Sequence, residues 1–437
     1  MIKDFKDKVA VITGGASGIG RGLAHAFAKR GMKIVLADID EPALEKVTKE
    51  MRDVGVEVLS VITDVSDPEQ VARLADVSYE HFGSVNILCN NAGVGGGGPI
   101  RFMTLENWDW TLDVNLYGVI YGIKYFFDRM INSKEPCHIV NTSSMAGLVT
   151  SEGQPYAASK HAVVSISESL AIESINTNVG VSVVCPGHVN TDIMKNMGKL
   201  GKIRSGLWEP TPEMNRLSEI PRENVNKILG SGMDPLKMAE IVIKAIEYDI
   251  LYVVTHPEWI RAVRARFERI YEDTEKLHDG IEIKWEKKTK IFKNDSPAFS
   301  VSYPENLLEL KPNPIVFPKN KPVFTASLIP GFDLLIFAYK TPDNRTEEVA
   351  NNIAAQLKFS ARAVKILTNK QITLRDGTPA YESIIKIRNA GFLRGKSHHL
   401  AVFKDGHLIR ISIFTGEKYY DGNSENLKKI LYSLEFH

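Results

Sequence analysis

The sequence predicts an α/β protein with a doubly wound parallel sheet, followed by a smaller α+β domain with an antiparallel sheet. Three observations carry that expectation. Up to about residue 275, short apolar runs alternate with segments of helical spacing, as a parallel sheet flanked by helices requires. The first of these runs, Val9 to Ile12, breaks into a glycine turn and then a helix. Beyond a charged stretch the pattern changes to the two-residue alternation of half-buried strands.

The first forty residues are the most informative. Gly14, Gly15, Gly18 and Gly20 separate the first strand from apolar positions at helical spacing between Leu23 and Ala28. Strand, glycine turn and helix form the build of a dinucleotide site. The glycines let the backbone approach a pyrophosphate, and the free N–H groups of the helix point at its charge. A second strand, Lys33 to Ala37, ends in Asp38. A carboxylate there accepts hydrogen bonds from both hydroxyls of the adenosine ribose and repels a 2′-phosphate, which favours NAD over NADP.

Glu57 to Ile62 is the third strand, and Asp64-Val65 follows it, where the carboxylate could meet the adenine amino group. Asn86 to Cys89 is the fourth, followed by Asn90-Asn91-Ala92-Gly93, whose amides suit a tight turn between strand ends. Gly95 to Gly98 read as a flexible rim. A helix is predicted over Trp108 to Met130, with the unfavourable Asn115 inside it. The strand His138 to Asn141 ends in Ser143 and Ser144. Tyr156 and Lys160 then stand four apart on one helix face, so phenol and ammonium can meet over one ligand. The strand Val181 to Cys185 ends in PGHVNTD, and a helix from Pro235 to Tyr248 and a strand from Leu251 to Val254 complete the sheet. Residues 255–272 read as a closing helix.

At 437 residues, two domains are expected, and 43% hydrophobic with 24% charged residues describes an ordinary globular chain. A formal charge of +1 offers no field for nucleic acid or anionic membrane. Cys89, Cys137 and Cys185 lie in or beside strands without paired spacing and read as core thiols of a reducing compartment. No apolar stretch reaches the roughly 20 residues of a membrane span, and the charged start MIKDFKDK leaves no room for a signal peptide. The expectation is a cytoplasmic protein with no metal site.

Taken together, TGGASGIG (Thr13 to Gly20), Asp38, Asp64-Val65, NNAG, the VNLYG helix around Asn115, NTSS, YAASK and PGHVNT (Pro186 to Thr191) resemble the short-chain dehydrogenase/reductase family, in the family's order. The resemblance implies a Rossmann-type fold and NAD(H)-dependent interconversion of a secondary alcohol and a carbonyl. It implies Asn115, Ser144, Tyr156 and Lys160 as catalytic residues. Tyr156 is the general acid/base, and Lys160 favours its anion by charge and holds the nicotinamide ribose. Ser144, rather than Ser143, steadies the substrate oxygen, and Asn115 interrupts its helix to hold a water that links Lys160 to solvent. The cofactor would rest on Gly14, Ser17, Gly18, Ile19, Gly20, Asp38, Asp64, Val65, Asn91, Ala92, Gly93, Tyr156, Lys160, Pro186 and Gly187, with Val189 and Thr191 anchoring the nicotinamide carboxamide. The partner is a small alcohol or carbonyl substrate, and by analogy the chain forms a homodimer or homotetramer.

His188 reads as a loop residue acting through its backbone, and His161 and His256 as surface or core histidines. Residues 193–233 stand where the family places its substrate lid. Met194, Met197, Leu207, Trp208, Met214, Leu217 and Ile220 there suit either an apolar substrate or packing of the lid itself.

Residues 276–297 read as a charged linker between a domain at 1–275 and one at 298–437. In the latter, strands are predicted at 299–303, 323–328, 334–339, 363–374 and 381–387, and a hairpin joins 400–403 to 408–414 through Lys404-Asp405-Gly406. Helices at 345–359 and 424–434 would cover a single sheet, and His398-His399 read as two surface histidines. FSVSYPENL, DGTPAYES, VFKDGHLIRISIFTGEKYY and LKKILYSLEF resemble the PsbP-like family, which implies a fold and no catalytic residue. The rival reading from another class is an NAD-binding sensor or scaffold whose C-terminal domain recruits an unknown partner.

Overall fold

The structure, a computed structural model, describes residues 2–95, 97–150, 153–191, 193, 232–277, 289–295, 297–304, 308–310, 322–328, 332–340, 363–374, 376–390, 393–415 and 417–436. The chain divides into two compact units, Met1–Val263 and Arg264–His437.

In the first unit, seven strands form one parallel sheet in the order β3-β2-β1-β4-β5-β6-β7. They are β1 (Val9–Thr13), β2 (Lys33–Asp38), β3 (Val58–Ile62), β4 (Ile87–Asn90), β5 (Cys137–Thr142), β6 (Val179–Cys185) and β7 (Tyr252–Val254). Around them run α1 (Gly18–Ala28), α2 (Glu41–Asp53), α3 (Pro68–Phe82), α4 (Leu105–Leu112), α5 (Gly118–Ser133), α6 (Tyr156–Glu173) and α7 (Pro235–Tyr248), and α8 (Ile260–Leu277) carries the chain from the first unit into the second.

The predominantly apolar strands follow from cover on both faces. Successive side chains of β1 go to opposite sides. Ala10 and Ile12 pack with Leu23 and Phe27 of α1 and with Met238, Val242 and Ile246 of α7. Val9 and Val11 join Leu74 and Ala75 of α3 and Phe126 and Met130 of α5. Local signals set the helix ends. Asp67 caps α3 by accepting the N–H of Glu69 at 2.9 Å, ahead of Pro68, and Gly83 ends it at φ 77°. Asp234 caps α7 in the same way.

The helix expected over Trp108 to Met130 is two helices joined by a widened turn, Asp113–Tyr117, in which the Gly118 N–H reaches back to the Asp113 carbonyl. Asn115 sits in that turn, so a residue poorly suited to a helix marks where the regular ladder breaks.

The second unit holds two antiparallel sheets where one was expected. Strands β10 (Leu308–Leu310), β11 (Phe324–Leu328), β12 (Phe332–Lys340), β13 (Ala363–Thr373), β14 (Pro379–Ala390), β15 (Leu393–Lys404) and β16 (His407–Thr415) order as β10-β11-β12-β16-β15-β14-β13. A smaller sheet has the order β17-β9-β8, from β8 (Thr289–Asp295), β9 (Ala298–Pro304) and β17 (Glu435–Phe436). Helix α9 (Glu417–Leu431) sends Leu427, Ile430 and Leu431 into a core with Phe299, Val301, Leu400, Ile409 and Ile411. The hairpin turn pairs Lys404 with His407, and Asp405 and Gly406 both have positive φ (49° and 72°), as its DG pair predicts.

The expected linker 276–297 is partly strand. β8 alternates charged, exposed residues with Phe292, whose ring lies 4.5 Å from Phe324 and 6.1 Å from Phe299. Lys290 and Lys293, on opposite faces of this edge strand, are both exposed, which makes a strand look like a connector. His398 and His399 are not surface residues either: both are buried, paired with Glu382 and with Ser412 and Ser397. The lid positions from Met194 to Ile220 and the helix expected at 345–359 lie outside the described residues.

Candidate active site

A cavity of about 240 Å³ opens at the C-terminal ends of the strands, where the strand order reverses between β1 and β4. That is where a doubly wound sheet leaves a crevice. Its wall brings together Gly14, Ser17, Gly18, Ile19, Asp38, Asp64, Val65, Asn91, Ala92, Gly93, Ser144, Tyr156, Lys160, Pro186, Gly187, Val189 and Thr191. Gly20 and Asn115 stand behind it.

At one end is the glycine turn. Gly18 has φ +49°, and a Cβ on Gly20 would lie 2.0 Å from the Gly14 carbonyl oxygen, so that position holds only glycine. Helix α1 starts at Gly18 with no side-chain cap from Ser17 and no acidic residue in its first turn. Its N–H groups and positive dipole end therefore face the cavity without a resident anion. Asp38, at the end of β2, accepts the Ala16 N–H at 3.0 Å and the Asp40 N–H at 3.1 Å. Burial raises its pKa, opposed by these backbone hydrogen bonds. Asp64 accepts from Ser66 N and Oγ.

The middle of the cavity is clasped by the turn after β4. Thr13 Oγ1 accepts the N–H groups of Asn91 and Ala92 at 3.0 Å each, and Asn91 Nδ2 donates to the Thr13 carbonyl at 3.0 Å. Asn90 donates to Asn141 at 2.9 Å, tying β4 to β5. Asn115 spends its side chain on this turn: Oδ1 accepts the Val94 N–H at 2.7 Å, and Nδ2 donates to the Val94 carbonyl at 3.0 Å and to Ser159 Oγ at 3.3 Å.

At the far end, Tyr156 and Lys160 rise from the first turns of α6, with Lys160 Nζ 5.6 Å from the Tyr156 ring centroid. Lys160 Nζ donates to the Thr142 carbonyl at 3.0 Å. Burial pulls the Lys160 pKa down to about 8. Burial also pushes the Tyr156 phenol up, opposed by a hydrogen bond with Ser144. In the chain alone, burial thus disfavours the charged form of both groups, the reverse of what the lysine charge does to the phenol.

The two adjacent serines separate cleanly. Ser143 Oγ donates to the Lys160 carbonyl at 2.8 Å, a structural bond inside the fold. Ser144 Oγ accepts the Ala146 N–H at 3.1 Å and lies with Tyr156 on the cavity wall.

Further wall residues escaped sequence reasoning: Trp110 and Val114 of the helix before Asn115, Thr63, Val94 and Ile193. Trp110 and Val114 are four apart on one helix face, a signal that was available. The role of Thr142 falls to a carbonyl oxygen, for which residue type gives no signal. The His188 carbonyl accepts the Met233 N–H at 2.9 Å, and its ring lies edge-on to Trp259 with the centroids 5.8 Å apart. Cys89, Cys137 and Cys185 are free and buried, and no metal-binding cluster of His, Cys, Asp and Glu occurs among the described residues.

The model of a protein family described as short chain dehydrogenase matches residues 8–200. Over 275 residues the chain is 35% identical to a CLA biosynthesis dehydrogenase/reductase of Lactiplantibacillus plantarum, covering 62% of this chain and 96% of that protein. It is likewise 35% identical over 273 residues to a C alpha-dehydrogenase of a Sphingobium species, covering 62% of this chain and 88% of that one. Among solved structures, a short chain dehydrogenase/reductase from Burkholderia phymatum in complex with NAD is 38% identical, with a TM-score of 0.55 over 62% of this chain and 97% of that chain. The apo form of LigD from Sphingobium is 33% identical, with a TM-score of 0.51 over 64% and 100% of the two chains.

Proposed function

This chain belongs to the short-chain dehydrogenase family and is an oxidoreductase of alcohol and carbonyl groups, and from that premise we propose that it uses NAD(H), with Tyr156 carrying the proton. One observation carries the reading. A single cavity joins an uncapped helix N-terminus and a carboxylate at one end to Ser144, Tyr156 and Lys160 at the other.

The residues fit a dinucleotide. Gly14, Ser17, Gly18, Ile19 and Gly20 leave room and N–H groups for a pyrophosphate. Asp38 keeps lone pairs for the ribose hydroxyls while bracing Ala16. Asp64 and Val65 would receive the adenine. Asn91, Ala92, Gly93, Pro186, Gly187, Val189 and Thr191 would line the nicotinamide half, with Lys160 on its ribose. Bound there, the nicotinamide supplies the electron pair exchange that no side chain of this chain can provide.

The chain's own groups handle the proton. Ser144 Oγ would hold the substrate oxygen, and Tyr156 Oη would give the proton to a carbonyl oxygen or take it from an alcohol. A phenol that burial keeps protonated is ready to donate, and needs help to accept. Lys160, within 5.6 Å of the ring, favours the phenolate whenever it is charged. The Asn115 side chain is committed to Val94 and Ser159, so any part it has in moving protons from Lys160 falls to the main chain of its widened turn.

The second unit is read as PsbP-like, supported by its antiparallel sheet, its DG hairpin and the terminal helix. Self-association is carried over by analogy. Buried free thiols support a reducing compartment, and among the described residues no helix is long and apolar enough to cross a membrane.

NADH formation with a panel of apolar secondary alcohols, before and after Tyr156→Phe, tests the reading. Turnover is expected in the unsubstituted protein and a loss of about a thousandfold or more in the variant, with NAD binding retained. Unaltered turnover in the variant removes Tyr156 from the chemistry. Tight NAD binding without turnover on any substrate favours the sensor or scaffold.

A further inference from the structure

The loop after β6 is gripped from three directions. The Pro186 carbonyl accepts the Met145 N–H at 2.8 Å. The Met233 N–H donates to the His188 carbonyl at 2.9 Å, and the Asn190 N–H donates to the Met233 carbonyl at 2.9 Å. Between these backbone bonds, the Gly187 N–H donates to a side chain, His256 Nδ1, at 3.2 Å.

His256 comes from just beyond β7, 69 residues later. Its ring lies against Gly187 so closely that a Cβ there would sit 2.7 Å from His256 Cγ and 2.8 Å from Nδ1. Glycine at 187 and an aromatic ring at 256 are therefore matched in shape as well as by a hydrogen bond. Thr255 Oγ1 lies 2.8 Å from the same Nδ1. A backbone N–H can only donate, so Nδ1 must be the acceptor. The Thr255 hydroxyl then also donates to it, and the ring proton belongs on Nε2. One tautomer is selected by two donors.

We propose that His256 is a positioning residue for the cofactor loop: its neutral ring fixes the Gly187 amide and so sets the backbone from Pro186 to Thr191 against the dinucleotide. The inference rests on the NAD reading of the cavity. His256 does not line the cavity itself, whereas Pro186, Gly187, Val189 and Thr191 do. Its effect is exerted on binding and not on the proton at Tyr156. A loop that loses this side-chain anchor samples more backbone states, and the cofactor must then order it on binding.

The test uses the full chain with His256→Leu, which removes the acceptor, and His256→Asn, which restores an acceptor oxygen near the Nδ1 position. His256→Phe, which keeps a ring without the acceptor, stands in should the leucine variant fail to fold. In the acceptor-free variant, NAD affinity is expected to fall about tenfold, the loss expected for one unmet hydrogen bond. Turnover at saturating NAD should stay within about twofold, and the asparagine variant should recover most of the affinity. Wild-type NAD affinity without the acceptor, an asparagine variant as weak as the leucine one, or a kcat that falls in step with affinity would each overturn the proposal. Hydrogen exchange of the Gly187 amide, faster without the acceptor and slow with asparagine, reads the brace with no cofactor present. A protein that binds no NAD but shows that exchange pattern therefore sinks the reading of the cavity and not the brace.

Discussion

At the scale of single residues, the site is governed by what burial does to charge. Lys160 is 3% exposed, and burial brings its pKa to about 8, while the Tyr156 phenol moves up. The sign follows for the reaction. Oxidation needs Tyr156 to accept a proton, so alcohol oxidation should speed up as pH rises from 7 to 9. Carbonyl reduction needs the protonated phenol, which burial keeps populated over the same range, so its rate should change little. Initial rates in both directions across that interval check this, and a common pH trend would remove Tyr156 as the shared proton carrier. Asp38 is the other telling residue, since its carboxylate both braces Ala16 and faces the cavity. Asp38→Ala should weaken NAD binding and lower the preference for NAD over NADP about tenfold or more, measured as the ratio of kcat/KM values. Equal use of the two cofactors by the unsubstituted protein would show that the acid does not meet the ribose.

At the scale of elements, two features carry meaning. The widened turn at Asp113–Tyr117 places Asn115 so that a helix residue completes the backbone bonds of the turn after β4. In the second unit, helix α9 and the residues just after it are pinned to the sheet by a buried polar cluster. Glu382 of β14 bonds His398 of β15 at 2.7 Å and the Tyr432 hydroxyl, and it pairs with Lys370 of β13 at 3.2 Å. Tyr420 of α9 bonds His398 Nδ1 at 3.2 Å. The His398 hydrogen bond, ahead of those from Tyr432 and Lys370, holds the Glu382 pKa down at about 2 despite burial. A depressed carboxylate stabilises the fold above its unfolded pKa, near 4.5, and that stabilisation, roughly 3 kcal/mol, is lost as pH falls towards about 2. Chemical denaturation of the second unit at pH 6 and pH 3 reads the difference, and Glu382→Gln should flatten it. His398→Ala takes away one of the carboxylate's three partners, leaving Tyr432 and Lys370, and should cost roughly 1–3 kcal/mol.

At the scale of the whole molecule, the chain is two units with separate cores, and the curated relatives reported above match only the first 62% or so of it. The second unit has its own apolar centre around Phe299, Ile411 and Leu431, so residues 289–437 should fold alone. A fragment starting at residue 296 lacks β8 and the Phe292 ring that covers Phe324 and Phe299. It should be less stable by about 3 kcal/mol or more, the scale of losing one buried phenylalanine. Denaturant melts of the two fragments decide it, and equal midpoints would show that β8 is an appendage.

The sequence by itself determined the parallel sheet, its strand limits to within a residue or two, and many of the residues that line the cavity. Those are local matters: apolar runs, glycine turns, caps and the four-residue spacing of Tyr156 and Lys160 are written along the chain. The different hydrogen-bond partners of Ser143 and Ser144, the burial of His398 and His399, the strand hidden in a charged stretch and the grip of His256 on Gly187 were decided only by the tertiary structure. Each depends on what lies opposite a residue from far along the chain. A hydroxyl, an imidazole or a lysine has the same chemistry in solvent as in a core until packing chooses its partner.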